Sequence, residues 1–147
     1  MNTKRAFTII ELLLILFVIS SLMGIVIFQF QGAQNRARTA ENTKRAHDII
    51  NSAEQQIGLA VVDRGYPDKR DIVKWQRFLA ILPEASAKNI STDSAIVPSG
   101  SDPQRLQYLT CRDETGEIKG IKVRFWNYSE TRVDEIKTGD TEGAACQ

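Results

Sequence analysis

The chain has 147 residues, a quarter of them charged, and a formal net charge of +1. That length suits a single domain, and so balanced a charge gives no strong pull towards nucleic acid or anionic lipid. One histidine and two widely separated cysteines supply neither a Cys-x-x-Cys pair nor a His-rich metal spacing.

Lys4 and Arg5 open an apolar run in which the only charge before Arg36 is Glu11. Leu12 to Phe28 is 17 positions without a charge, and from Phe7 to Phe30 the run reaches 24. At ~1.5 Å per residue that is about 36 Å of helix, where a bilayer span needs about 20 residues. The two basic residues in front hold the N-terminus on the cytoplasmic side. A cleaved secretory signal has an apolar region of about 7–15 residues closed by small residues. This run is longer, and no Ala-x-Ala follows it. An ionised acid in a spanning helix costs roughly 2.5–3.5 kcal/mol on insertion scales and marks a functional candidate. A plain single-pass anchor leaves Glu11 without a reason.

From Gln29 to Val62 small and apolar residues recur three or four apart, at Ala33, Ala37, Ala40, Ala46, Ile50, Ala53, Ile57 and Ala60. That spacing predicts a helical stripe. Gln34, Arg38, Glu41, Lys44, Arg45, Asp48 and Gln55 form the opposite, polar face. No proline occurs before Pro67, so the apolar and amphipathic stretches read as one rod of more than fifty residues, about 80 Å long. Gly24, Gly32 and Gly58 are its weak points, each costing about 1 kcal/mol against Ala. Alanines fill the first half of the stripe and larger residues the second, so only the C-terminal half is expected to pack on a head.

The short basic leader followed by Ala6, Phe7, Thr8, Ile9, Ile10, Glu11, Leu12 and Leu13 resembles the class III leader of type IV pilins and the related pseudopilins. The resemblance is strong over residues 4–28. Asp63-Arg64-Gly65-Tyr66-Pro67 resembles the Gly-x-Tyr-Pro exit of many members. It implies that a prepilin peptidase cuts between Ala6 and Phe7 and methylates the Phe7 amine. Phe7 and Glu11 are then the assembly residues, the acid of an incoming subunit pairing with the amine of its neighbour. Partners implied are other pilins in a homo-oligomeric or mixed filament, the peptidase, the assembly platform, and membrane lipid before assembly. The chain departs from the pattern at Ala6, where Gly is usual, and in having no proline late in the apolar run, so melting of the helix would begin near Gly24 or Gly32.

Past the membrane segment lie Cys111 and Cys146, in what the resemblance makes an oxidising compartment. Joined, they close a loop of about 36 residues worth roughly 3–4 kcal/mol in the chain-entropy model, as the C-terminal disulfide loop does in many pilins. Two free thiols are the alternative. Asp71 to Leu82 reads as a short amphipathic helix with Ile72, Trp75, Phe78, Leu79 and Leu82 on one side and Pro83 stopping it. Ala85 to Pro103 reads as an irregular loop. Leu106–Arg112, Ile118–Tyr128 and Thr131–Lys137 read as antiparallel strands, with Ile121, Val123 and Phe125 facing the helix.

Catalytic constellations are missing, so an enzyme is not expected. His47 reads as solvated. Asp134, Glu135, Asp140 and Glu142 lack the regular oxygen-ligand spacing of a calcium loop and read as a solvated acidic segment, with a calcium loop like that of the major secretion pseudopilins as the weaker alternative; neither metal nor cofactor is expected. Lys69, Arg70, Lys74 and Arg77 around Trp75 read as an exposed helix face, with nucleic-acid binding as the weaker alternative. Asn89-Ile90-Ser91 and Asn127-Tyr128-Ser129 match a glycosylation sequon, a pattern common by chance.

The expected class is α+β: a long N-terminal helix, membrane-spanning in its first half, packed by its second half on a small antiparallel sheet. Residues 1–6 are the leader, 7–30 the transmembrane and assembly half, and 31–147 the exported head, which includes the amphipathic helix half 31–62. The resemblance implies a type IV pilus subunit for adhesion, twitching motility or DNA uptake. Such a subunit sits in the cytoplasmic membrane before assembly and in an extracellular filament after it. A pseudopilin of a type II secretion system, or an anchored binding protein that never polymerises, is the alternative.

Overall fold

The computed structural model describes residues 8–59 and 65–147. Its first element, α1 (Ile9–Leu59), is one helix of 51 residues, as the absence of proline before Pro67 allows. Ala60, Val61 and Val62 at the end of the expected stripe, and Asp63 and Arg64 of the exit motif, lie outside the described residues. Every side chain described from Ile9 to Gln34 is exposed, and Ile9 and Phe17 keep 81% and 75% of their surface. Burial begins at Asn42 and continues through Arg45, Ala46, Ile49, Ile50, Ser52, Ala53 and Gln56. Ala33, Ala37 and Ala40 are exposed, and the head meets α1 from Arg38, packed over the Tyr128 ring, and Thr39, which accepts the Tyr128 N–H. Arg45 is a correction to the sequence reading, which put it on the solvent face; it is 6% exposed.

The helix α2 (Ile72–Ile81) starts on Asp71, whose carboxylate accepts the Lys74 N–H at 3.1 Å, a side-chain cap of the usual kind. Phe78 is buried, Leu82 just past the helix is buried, and Trp75 and Leu79 pack against the same core. Ile72 was expected beside them but is 68% exposed. It stands in the first turn, at the edge of that stripe, and α2 meets the core only by its later turns.

Helix α3 (Glu84–Ala87) and strand β1 (Ile90–Ser91) follow, so the stretch read as an irregular loop contains two short elements. The remaining strands are β2 (Leu106–Arg112), β3 (Ile118–Asn127), β4 (Arg132–Gly139) and β5 (Ala145–Cys146). The sheet order is β1-β2-β3-β4, with β5 paired to β2. Antiparallel pairing holds throughout β2, β3, β4 and β5. The expectation of a purely antiparallel sheet fails at β1, which pairs parallel with β2, Ile90 opposite Leu106 and Ser91 opposite Gln107. Parallel neighbours need a crossover of about a dozen residues or more, and residues 92–105 supply one.

Ile121, Val123 and Phe125 alternate into the core with Leu106 and Tyr108, meeting Ala46, Ile49, Ile50 and Ala53 of α1. The rings of Trp75, Phe78 and Tyr108 pack at 5.1–5.6 Å between centroids, an edge-to-face and tilted cluster of the kind aromatic quadrupoles favour. Burial pushes the Tyr108 phenol well above its ordinary pKa, and its hydroxyl donates to the Pro67 carbonyl at 2.6 Å. Gly120 and Gly139 face each other across β3 and β4. Gly139 has φ 78°, and a Cβ there would meet the Lys119 carbonyl and the Tyr66 hydroxyl.

Candidate functional site

Two surfaces of α1 define what the molecule can do. The first is its apolar half. Among the described residues α1 is the one helix long and apolar enough to cross a membrane. Glu11 does not stand alone at its start. The Glu11 carboxylate accepts from the Thr8 N–H at 3.1 Å and from the Thr8 hydroxyl at 3.0 Å. The Glu11 N–H points back at the Thr8 hydroxyl at 3.4 Å. This is a capping box, and a carboxylate in the first turn also favours the helix dipole. The Thr-x-x-Glu spacing stands in the sequence, and a reading from charge alone passes over it. Ala6 and Phe7, the residues expected at the cut, lie outside the described residues.

The second surface is a polar seam that clamps the head to α1 at roughly every third residue. The Thr39 hydroxyl accepts the Tyr128 N–H at 3.0 Å and donates to the Asn35 carbonyl at 2.9 Å. Asn42, 3% exposed, donates to the carbonyls of Pro103 at 2.8 Å and Trp126 at 3.0 Å. Arg45 donates to the Gln104 carbonyl at 3.0 Å and to the Lys88 carbonyl. Burial lowers its pKa, with Glu41 acting the other way. Asp48 accepts the Ser86 hydroxyl at 2.9 Å, and Gln56 donates to the Lys74 carbonyl at 3.0 Å. A typical hydrogen bond adds about 0.5–1.5 kcal/mol net, but an orphaned buried group costs about 1–3. The seam therefore acts mainly by penalising any other register of helix and head.

The C-terminal segment is tied down covalently. Cys111 and Cys146 are disulfide-bonded, which closes the alternative of two free thiols. The bond links β2 to β5 at directly opposite positions, and Gln147 exchanges backbone hydrogen bonds with Thr110 at 2.9 and 3.0 Å.

The other residues singled out in the sequence do not converge. His47 is exposed. Asp134 pairs with Arg132 at 2.8 Å. Glu135 sits among Lys122, Arg124 and Lys137 at 3.4 Å each. Asp140 and Glu142 belong to a different edge of the head, beside the β2–β3 turn. Trp75 turns inward to Phe78 and Tyr108, so it does not interleave with Arg70 and Arg77 as a base-stacking surface. Asn127 is 6% exposed, and its amide is engaged with Asp134 at 2.6 Å.

No family model, curated protein or solved structure matches the chain.

Proposed function

We propose that the chain is the precursor of a type IV pilus subunit. A prepilin peptidase cuts it between Ala6 and Phe7 and methylates the Phe7 amine. The subunit then leaves the membrane for a filament held together by its apolar helix half. The observation that carries this reading is the length of α1 that stands clear of the head. From Ile9 to Phe30 its side chains are apolar apart from Glu11, Ser20, Ser21, Gly24 and Gln29, and those described are exposed. A contiguous apolar surface of this size marks an interaction or membrane site. Lipid can cover it, and so can copies of the same helix packed side by side.

Glu11 favours polymerisation over a plain anchor. In the uncut chain its carboxylate is served by Thr8. After the cut, the positive amine of a neighbouring Phe7 gives it a counter-ion inside the bundle and fixes the axial register between subunits. The Cys111–Cys146 bridge favours a pilus subunit over a secretion pseudopilin, since in the resembled family the major pseudopilins commonly hold that segment with calcium. The test is electron microscopy of the sheared surface fraction from cells carrying or lacking the gene. Filaments present only with the gene, and labelled by an antibody to the head, are the expected result. Identical fractions from both would overturn the reading.

A further inference from the structure

Two Asn-x-Ser triplets stand in the chain, Asn89-Ile90-Ser91 and Asn127-Tyr128-Ser129. Neither has proline in the middle position, so both satisfy the sequon for an N-linked glycan. The fold treats them in opposite ways.

Asn127 is shut in. It is 6% exposed, and its Nδ2 donates to the Asp134 carboxylate at 2.6 Å. Its Oδ1 accepts the Ser129 and Glu130 N–H groups at 2.9 and 3.1 Å and lies 3.3 Å from the Thr39 hydroxyl of α1. A sugar on that Nδ2 has no room unless Asn127 is pulled away from these partners. The folded head therefore excludes a glycan there.

Asn89 is open. It sits between α3 and β1, the strand at one end of the sheet order. Its carbonyl accepts the Leu106 N–H at 3.0 Å, which fixes its backbone to β2. Its side chain is exposed, and the amide has no hydrogen-bond partner among the described residues. Its φ is 62°, a left-handed value that Asn, Asp and Gly adopt most readily. That conformation explains a small polar residue at 89 but asks nothing of position 91. Ser91 is partly exposed, and its hydroxyl accepts the Asp93 N–H at 3.3 Å while donating to nothing among the described residues. Beside the triplet lies a cleft of about 270 Å³ walled by Asn89, Ile90, Ser91, Ile96 and Arg105. Ile96 keeps 38% of its surface, so with Ile90 it offers an apolar wall to the C–H face of a sugar ring. Arg105 is ion-paired with Asp102 at 2.7 Å, and a guanidinium carries five N–H donors, which leaves some for sugar hydroxyls.

We infer that Asn89 is the acceptor of an N-linked glycan whose first sugar lies in the cleft of Ile90, Ile96 and Arg105. The donor class is a glycosyl diphosphate, lipid-linked or nucleotide-linked. The Asn89 Nδ2 bonds to C1 of the sugar as the C1–O bond to the diphosphate breaks. The diphosphate leaves with the electron pair, and one Nδ2 proton passes to a base of the transferase. Such glycans stand on the surface loops of secreted domains, and the Cys111–Cys146 bond is of the kind that oxidising compartments keep. The site rests on the fold of the head and not on polymerisation.

Trypsin, cutting after Lys88 and Arg105, releases residues 89–105 as one peptide. The test is mass spectrometry of that peptide from the full-length chain purified from its own cells. The wild-type peptide should be heavier than its sequence by one or more sugar residues. Asn89→Asp keeps a residue that tolerates the left-handed backbone but lacks the amide nitrogen, and the increment should vanish. Ser91→Ala should abolish it too, while Ser91→Thr, which preserves the sequon, should keep it. The peptide that contains Asn127 should carry no increment. An increment confined to chains with the Cys111–Cys146 bond formed supports the site with a lipid-linked donor; one present already on chains with free thiols supports it with a nucleotide-linked donor. A wild-type peptide at its sequence mass overturns the site. An increment that survives Asn89→Asp places the sugar on a hydroxyl and overturns it as well, as does a glycan found on Asn127 instead.

Discussion

At the scale of single residues, Glu11 is the one whose environment would change under the proposed function. Thr8 supplies it with two donors, so under the proposed function the acid would enter the membrane as part of a helix cap. Two substitutions separate the cap from the charge. Glu11→Gln keeps an acceptor three residues into the helix, which a capping box accepts, but removes the anion. Glu11→Val removes both and lowers the cost of insertion. Both variants should insert and be cut. If the anion pairs with a neighbour's amine, both should lose filaments to a similar degree, because that amine is left unpaired in a poorly solvated place. Filament counts that survive in Glu11→Gln and fall only in Glu11→Val would assign the residue to capping instead.

Asn42 gives a second residue-scale prediction. Its amide satisfies two carbonyls from segments that lie 61 and 84 residues further along the chain. Asn42→Ala leaves both without their donor at a buried position, which should cost about 1–3 kcal/mol in urea unfolding of the detergent-solubilised protein. Asn51→Ala, on the exposed side of the same helix, should stay within about 0.5 kcal/mol of wild type.

At the scale of elements, the β2–β3 turn carries a pH signature. The Thr115 hydroxyl, 2.6 Å from the carboxylate, holds Asp113 below its ordinary pKa; slight desolvation opposes it, and the Glu117 and Thr115 N–H groups and Lys119 assist. A carboxylate depressed in the folded state contributes stability that is complete above its unfolded value of about 4 and is lost as pH falls through the folded value. The melting temperature of Asp113→Ala should therefore lie below wild type near neutrality, and the two curves should converge below about pH 4. A gap that persists unchanged at lower pH would mean that the turn does not depend on the ionised form.

The C-terminal strand is the other element with its own test. β5 has two residues and two partners in β2, too little pairing to hold without the Cys111–Cys146 bond. In the chain-entropy model the bond is worth roughly 3–4 kcal/mol. Cys146→Ser should lower the melting temperature and raise amide exchange at Thr110 and Gln147, while membrane insertion is unchanged. Unaltered exchange at those two positions would show that β5 is held by its backbone alone.

Elements with a local cause were readable from the residues. The unbroken helix follows from the lack of proline up to Pro67, the strands from β-branched and aromatic runs, and α2 from Asp71 at its start and Pro83 beyond its end. What stayed hidden depends on distant segments. Arg45 looks like a solvent-facing residue because the carbonyls that accept its donors come 43 and 59 residues later. The parallel pairing of β1 could not be read because a two-residue strand has no periodicity. The seam escaped for the same reason as Arg45: its residues are polar, and a hydrophobic stripe is the wrong pattern in which to look for them. The capping box at Thr8 and Glu11 was legible, and only attention to charge obscured it.

At the scale of the whole molecule, a rigid rod joins two environments. Its first half offers apolar side chains to lipid or to copies of itself, and its second half is sealed into a disulfide-closed head by an apolar stripe and the polar seam. Between Phe30, where the apolar run ends, and Arg38, which packs over Tyr128 of the head, a short exposed polar stem carrying Arg36 separates the two. Under the proposed function the same rod would pass from membrane to polymer without refolding the head. That passage is the central claim, and the mass of the subunit recovered from sheared surface filaments tests it most directly. The account predicts a chain that begins at Phe7, carries one added methyl group, and is about two mass units lighter without reductant than with it. A filament-fraction chain that still begins at Met1, or one cut after residue 28, would contradict it.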